Sequence, residues 1–180
     1  MELVAGVATV EDVDDFVERL GAIADEHGVT VQAFDARYVV DRGHLERATE
    51  LADRAVDRGE NVARDRAVEI LCYAAGRRQI ERALEMGVST GEGPVVVLVD
   101  AGPAVGEEGE DGTENGKTSE RAAVETLRSM HAFEPAATLG EYDRERVCEF
   151  FDVSEAELAT VDGDLAALVH ERVALLDVEK

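Results

Sequence analysis

Pro94-Val95-Val96-Val97-Leu98-Val99 is the longest apolar run in the chain and the stretch on which the fold turns. It is far shorter than the roughly 18 residues a membrane-spanning helix needs. It has the length of a strand, and its apolar character does not alternate. That predicts a central strand, buried on both faces. Such a strand needs neighbours in the sheet and helices to cover it, and the flanking sequence supplies candidates for both.

Upstream, Leu3 to Ala8 and Thr30 to Phe34 read as two more strands. Between them, Val13, Phe16, Val17, Leu20 and Ile23 recur at helical spacing over Asp12 to His27, with Gly28 as the stop. Asp41 is an N-cap for a helix from Arg42 to about Arg58, its inner face formed by Leu45, Ala48, Leu51, Ala52 and Ala55 and its end set by Gly59. A second helix begins between Asn61 and Asp65 and buries Val68, Ile70, Leu71 and Ala75 before Gly76 interrupts it. A short helix is expected from Arg77 to Met86, with Ile80, Ala83 and Leu84 inward and Gly87 as its stop.

Downstream, residues 101–119 hold five glycines, one proline and five acids, which predicts a flexible acidic loop. Helices follow over Glu120 to Met130, Arg144 to Phe151 and Leu165 to Val178, and Ser154-Glu155-Ala156-Glu157 matches a capping box. The sum is an α/β (α+β) domain over 1–180, a small, mostly antiparallel or mixed sheet flanked by several helices.

Composition limits the function. Apolar residues make up 45% of the chain and exclude a disordered protein, while the absence of Trp leaves Ala, Val and Leu to fill the core. The N-terminus has no basic segment ahead of an apolar one, and Cys72 and Cys148 stand far apart without ligand spacing. Both features fit a soluble protein of the reducing cytoplasm.

The net charge of −23 argues, taken alone, against nucleic acid. Only two of the 18 basic residues are lysines, however, and an acidic, Lys-poor chain with a small-residue core fits adaptation to molar salt, a halophilic cytoplasm. At about 1 M salt the Debye length is about 3 Å, so distant acids no longer repel RNA. The charge is also uneven. From Arg37 to Arg82 there are ten arginines and nine acids, against 8 basic and 32 acidic residues elsewhere. This Arg-rich island is either a binding face or a pair of solvated helices whose ion pairs set Glu46 and Glu50 against Arg42 and Arg54.

No catalytic or metal constellation emerges. Asp111-Gly112-Thr113-Glu114-Asn115-Gly116-Lys117-Thr118 misses a phosphate-binding loop at its first glycine and is crowded by acids. His27, His44, His131 and His170 are scattered, and Cys72 lies in an apolar helix, where an inert thiol is the default. The expectation is a binding protein with no cofactor and no enzymatic activity.

The segment that stands out is Glu69-Ile70-Leu71-Cys72-Tyr73-Ala74-Ala75-Gly76-Arg77-Arg78-Gln79-Ile80. One helix ends at glycine, and another begins with two arginines and a glutamine. Free backbone N–H groups and guanidinium forks suit phosphate. Gln79 can read a base edge, and a partly exposed Ile80 can touch an unstacked base. The bland alternative is a helix–helix corner with Arg77 and Arg78 solvated and Ile80 buried.

Phe34-Asp35-Ala36-Arg37-Tyr38-Val39-Val40, His44-Leu45, Asn61-Val62-Ala63, Glu69-Ile70-Leu71, Gly76-Arg77-Arg78-Gln79-Ile80 and Ala83-Leu84, in this order, resemble the p53-related-protein-kinase-binding (TPRKB-like) subunit of the KEOPS complex. The final helix, Glu171-Arg172-Val173-Ala174-Leu175-Leu176, is also similar to that family's. The resemblance covers roughly residues 31–100 and implies an archaeal, salt-adapted member. KEOPS makes threonylcarbamoyl-adenosine in tRNAs that read codons beginning with A. The resemblance implies a non-catalytic accessory subunit that docks on the complex's kinase-like ATPase and captures the single-stranded 3′ CCA tail of tRNA. It implies an RNA site at Gly76, Arg77, Arg78, Gln79 and Ile80, with Tyr73 as a stacking surface, and a kinase contact at Arg172. The rival reading is a protein-interaction regulator of a kinase-like partner that touches no RNA.

Overall fold

The computed structural model describes residues 1–103 and 110–177. Its centre is the strand that holds the apolar run, β3 (Gly91–Asp100), which lies between β1 (Glu2–Val10) and β2 (Thr30–Asp35). A short strand, β4 (Phe133–Pro135), completes a four-stranded sheet in the order β2-β3-β1-β4, and all its pairings are antiparallel. The register sets Val4 opposite Val97 and Phe34 opposite Val96.

Because side chains alternate across a strand, β3 sends Val96 and Leu98 to one face and Val95, Val97 and Val99 to the other. Each set belongs to its own apolar cluster, which is why the run had to be apolar throughout. Burying each such side chain contributes about 1.5–3 kcal/mol. On the second face lie α1 (Val13–His27), through Phe16, Leu20 and Ile23, and α5 (Glu110–Arg128), through Ala123, Val124 and Leu127. On the first lie α2 (Arg42–Arg58), α3 (Arg66–Ala74), α6 (Arg144–Phe150) and α8 (Leu165–Leu175). The short helix α4 (Ile80–Ala83) follows α3 on the way to β3, and α7 (Glu155–Thr160) links α6 to α8. The fold is α+β, as expected.

Local chemistry sets most boundaries. The side chains of Asp12, Asp41, Asp65, Asp143 and Asp164 each accept a backbone N–H at a helix start. Ser154 and Glu157 form the anticipated capping box. At Gly6 a Cβ would lie 2.5 Å from both the Phe133 ring and the Glu134 carbonyl oxygen, so β4 can approach β1 only because this residue has no side chain.

Three expectations need correction. The helix expected over Arg77 to Met86 shrinks to α4 and a following 3-10 turn, Leu84–Met86. Ala83 and Met86 are buried as that turn requires, but Leu84 is 55% exposed and faces out. The acidic stretch 101–119 is not loop throughout, because α5 already begins at Glu110, while 104–109 lie outside the described residues. Finally, α8 ends at Leu175 and Leu176 and Asp177 form a turn, so the expected helix stops short, while Val178 lies outside the described residues.

Candidate interface at the Gly76–Ile80 corner

The corner begins where α3 stops. Ala75 is still helical, and Gly76 adopts φ of +59°, a left-handed conformation that costs glycine nothing. The N–H of Arg77 then donates to the Cys72 carbonyl and the N–H of Gly76 to the Tyr73 carbonyl, the double closure of a Schellman turn. The chain leaves α3 at a fixed angle, and Gln79 becomes the residue ahead of α4 without a side-chain cap bond. Arg77 and Arg78 therefore belong to the turn and not to a helix N-terminus, and α4 is too short to offer phosphate much dipole.

The turn rests on a polar framework. His44 of α2 is fully buried, and its Nε2 lies 2.8 Å from the carbonyl oxygen of Ala74. Burial above all, assisted by nearby His170 and opposed by the Ala74 carbonyl and Asp41, drops its pKa to about 4. The ring is therefore neutral at pH 7, and its Nε2–H donates to Ala74. Glu69, 2% exposed, accepts the N–H groups of Val62 at 3.0 Å and Ala63 at 2.8 Å. That carboxylate fixes the loop before α3 beside the corner and leaves the Val62 side chain 41% exposed. Between these groups, burial and then Glu69 push the Cys72 thiol up to about 11, so it stays protonated and inert, as the sequence suggested.

The site residues named from the sequence divide sharply. Arg77 donates from Nη2 to the Phe150 carbonyl and to Asp152 Oδ2 at 2.9 Å, and its guanidinium lies over the Phe150 ring, 5.7 Å from the centroid. Arg172 of α8 makes the matching grip: it donates to the Phe151 carbonyl and to Glu157. The Ser154 backbone N–H first, then Arg172 and the Ser154 hydroxyl, hold the Glu157 carboxyl at about 2. Both arginines thus clamp the turn between α6 and α7, and the Arg172 backbone lies 3.5 Å from where a Cβ on Gly76 would stand. Tyr73 is 3% exposed, so its ring is packed and not presented as an open stacking face.

The other three point outward. Gln79 is exposed, Ile80 is 37% exposed, and Arg78 is half-buried at the rim of a small crevice shared with Val62, Glu69, Cys72, Tyr73 and Leu176. Eight of the ten arginines in the Arg37–Arg82 island hold carboxylates, including Arg42 with Glu46 at 2.7 Å and Arg66 with Asp53 and Asp100. Arg54 pairs with Asp177 and not with Glu50. Among the described residues, Arg64 and Arg78 make no ion pair. The island is therefore largely neutralised within the chain, and its available cations sit on the loop before α3 and on the corner after it. Sequence reasoning quoted Val62 only within the family resemblance and did not place it or Arg64 at the site, because the Glu69 carboxylate that holds the loop is seen only in the structure and no local pattern marks Arg64.

The arrangement offers directed donors, an amide and aliphatic surface around a narrow crevice. Among the described residues no group of three His, Cys, Asp or Glu side chains is placed to hold a metal ion, and no helix is long and apolar enough to cross a membrane. No curated protein matches the chain. The sequence pattern of the kinase-binding protein CGI-121 family matches residues 8–177, nearly the whole chain, and the protein belongs to that family.

Proposed function

We propose that this kinase-binding protein is a non-catalytic accessory subunit of the KEOPS complex in tRNA threonylcarbamoyl-adenosine modification, docking on the kinase-like ATPase and holding the 3′ CCA tail of tRNA. The observation that carries the RNA half is the corner's outer rim. Arg78 has no ion pair among the described residues, and exposed Gln79 and Ile80 follow it directly. A guanidinium fork suits phosphate or a base edge, an amide can read a base edge, and an aliphatic side chain can cover an unstacked base. In molar salt counterion release contributes little, so directed contacts of this kind must supply affinity. Arg77 and Gly76 set the geometry of the rim in this reading, and Tyr73 forms the inner wall of the crevice. Arg172 anchors the last helix, beside which the kinase-like partner docks.

The rival, a regulator of the kinase-like partner without RNA, draws support from the occupation of Arg77 by Phe150 and Asp152 and from the burial of Tyr73. The two separate on one experiment: affinity for intact tRNA and for tRNA lacking the CCA tail, in molar KCl, with and without the kinase-like subunit. Binding that requires the tail is expected. Kinase binding with no affinity for either RNA would leave the rival standing, and equal affinity for both would remove the tail from the reading.

A further inference from the structure

The strand order leaves β2 on an edge of the sheet, with β3 on one side and no strand on the other among the described residues. Alternate backbone groups of Thr30–Asp35 therefore point out of the sheet. Natural edges are blunted by proline, inward-pointing charge or a covering element. Here the sequence Thr30-Val31-Gln32-Ala33-Phe34-Asp35 carries neither proline nor lysine, and a side-chain amide, Gln32 Nε2, reaches the Ala33 carbonyl at 2.8 Å.

A groove of about 490 Å³ runs along the Thr30–Ala33 part of this edge, while Phe34 and Asp35 are buried beyond it. Val13, Val17, Leu20 and Ala24 of α1 form one wall; Val68 and Leu71 of α3, with Leu84 and Val88, form the other. Among the large apolar side chains of the described residues, Leu84 at 55% and Val17 at 52% are the most exposed, and both line this groove from opposite walls. Leu84 is also the residue the sequence placed in the core. Its exposure has no explanation in the packing of the chain itself.

We propose that this groove binds an extended, alternately apolar segment of a partner protein, which adds to β2 as a fifth strand. An edge without a neighbouring strand, between two apolar walls, suits a strand, because main-chain hydrogen bonds give affinity, every second side chain enters the groove, and the Gln32 amide on the Ala33 carbonyl has only to swing aside. The end at Thr30 holds Asp25 and Asp65, and Arg66 there is already held by Asp53 and Asp100. The occupant therefore carries a lysine or arginine at that end. A second copy of this chain is the poorer fit, because its net charge is −23 and it would bring the same two acids to the same place. This inference stands apart from the tail-binding reading, since it uses none of Arg78, Gln79 or Ile80.

The test is selection from a random dodecapeptide display library against the purified full chain in molar KCl. Anisotropy and hydrogen exchange then follow on synthetic copies of the enriched peptides. Enriched peptides should alternate Val, Ile, Phe or Thr with other residues and carry a basic end. They should protect amides within Thr30–Asp35 at least tenfold and bind Val17→Asp and Leu84→Asp at least tenfold more weakly. Both substituted positions are exposed, and circular dichroism checks that the variants fold. Peptides N-methylated at alternate amides provide a second arm that leaves the protein unchanged, and they should not bind. The proposal is overturned by a library that enriches nothing, by peptides of helical spacing without protection of β2, by binding indifferent to N-methylation, or by a dimer that Leu84→Asp disperses.

Discussion

The underside of the Gly76–Ile80 corner and its outer rim lie a few residues apart in the chain, and they use their polar groups in opposite ways. Underneath, His44 donates to the Ala74 carbonyl, Glu69 collects two backbone N–H groups, and Arg77 and Arg172 hold the turn between α6 and α7. On the rim, Arg78 makes no ion pair among the described residues, and Gln79 and Ile80 face solvent. Two adjacent arginines thus have different work, and composition alone gives no means of assigning it. The comparison predicts that changes beneath the corner cost stability and that changes on the rim cost binding.

The largest effect belongs to His44. Its folded pKa, about 4, lies below the ordinary value of 6.5, so between these values the unfolded chain holds a proton that the native ring does not. The contribution is complete above pH 6.5 and is lost as pH falls toward 4, up to about 3 kcal/mol at about 1.4 kcal/mol per pH unit. Denaturant unfolding at pH 7 and pH 5 checks this against His44→Gln, because the carboxylates common to both proteins cancel in the difference. Equal pH slopes in the two proteins would show that the buried ring is not what makes the underside acid-sensitive.

Arg77 comes next. Removing it leaves the Phe150 carbonyl and Asp152 without their donor and removes a guanidinium from the Phe150 ring. Hydrogen bonds to charged groups contribute about 1.5–3 kcal/mol, and the exposure of Asp152 argues for the lower end. Arg77→Ala should lower the unfolding midpoint accordingly, as chemical denaturation will show. An unchanged midpoint would break the division between underside and rim.

Much of this architecture was legible beforehand, for identifiable reasons. The run Val95–Val99 could only be central, and Asp12, Asp41 and Ser154 cap helices through contacts with their immediate neighbours. What failed depended on distant partners. Ile80, Ala83 and Leu84 have helical spacing, but the Schellman closure at Gly76 takes Arg77 out of the helix, and only Ala83 and Met86 find a core. The beginning of α5 in a glycine-rich acidic stretch opposes local propensity, and three-residue β4, ending in proline, is too short to have a pattern. The site was legible as a segment but not as a surface. Which arginine faces out is decided by Phe150, Phe151, Asp152 and Glu157, more than seventy residues downstream of Arg77 in the first of these contacts.

Arg78 gives the smallest effect on stability and the clearest separation of the two regions. It is half-buried and holds no carboxylate among the described residues, so Arg78→Gln should leave the unfolding free energy nearly unchanged, and Arg78→Glu, which brings a second carboxylate to the crevice of Glu69, should still cost less than Arg77→Ala. Affinity for the CCA tail should nevertheless fall by roughly 10- to 100-fold, the equivalent of one charge-assisted hydrogen bond lost at about 1.5–3 kcal/mol. Arg78→Lys discriminates further. A lysine keeps the charge but not the planar fork, so it should recover only part of the affinity if the guanidinium binds bidentately, and nearly all of it if a point charge suffices. Unchanged tRNA affinity for Arg78→Glu, measured alongside Arg77→Ala, would mean that the rim does not touch RNA.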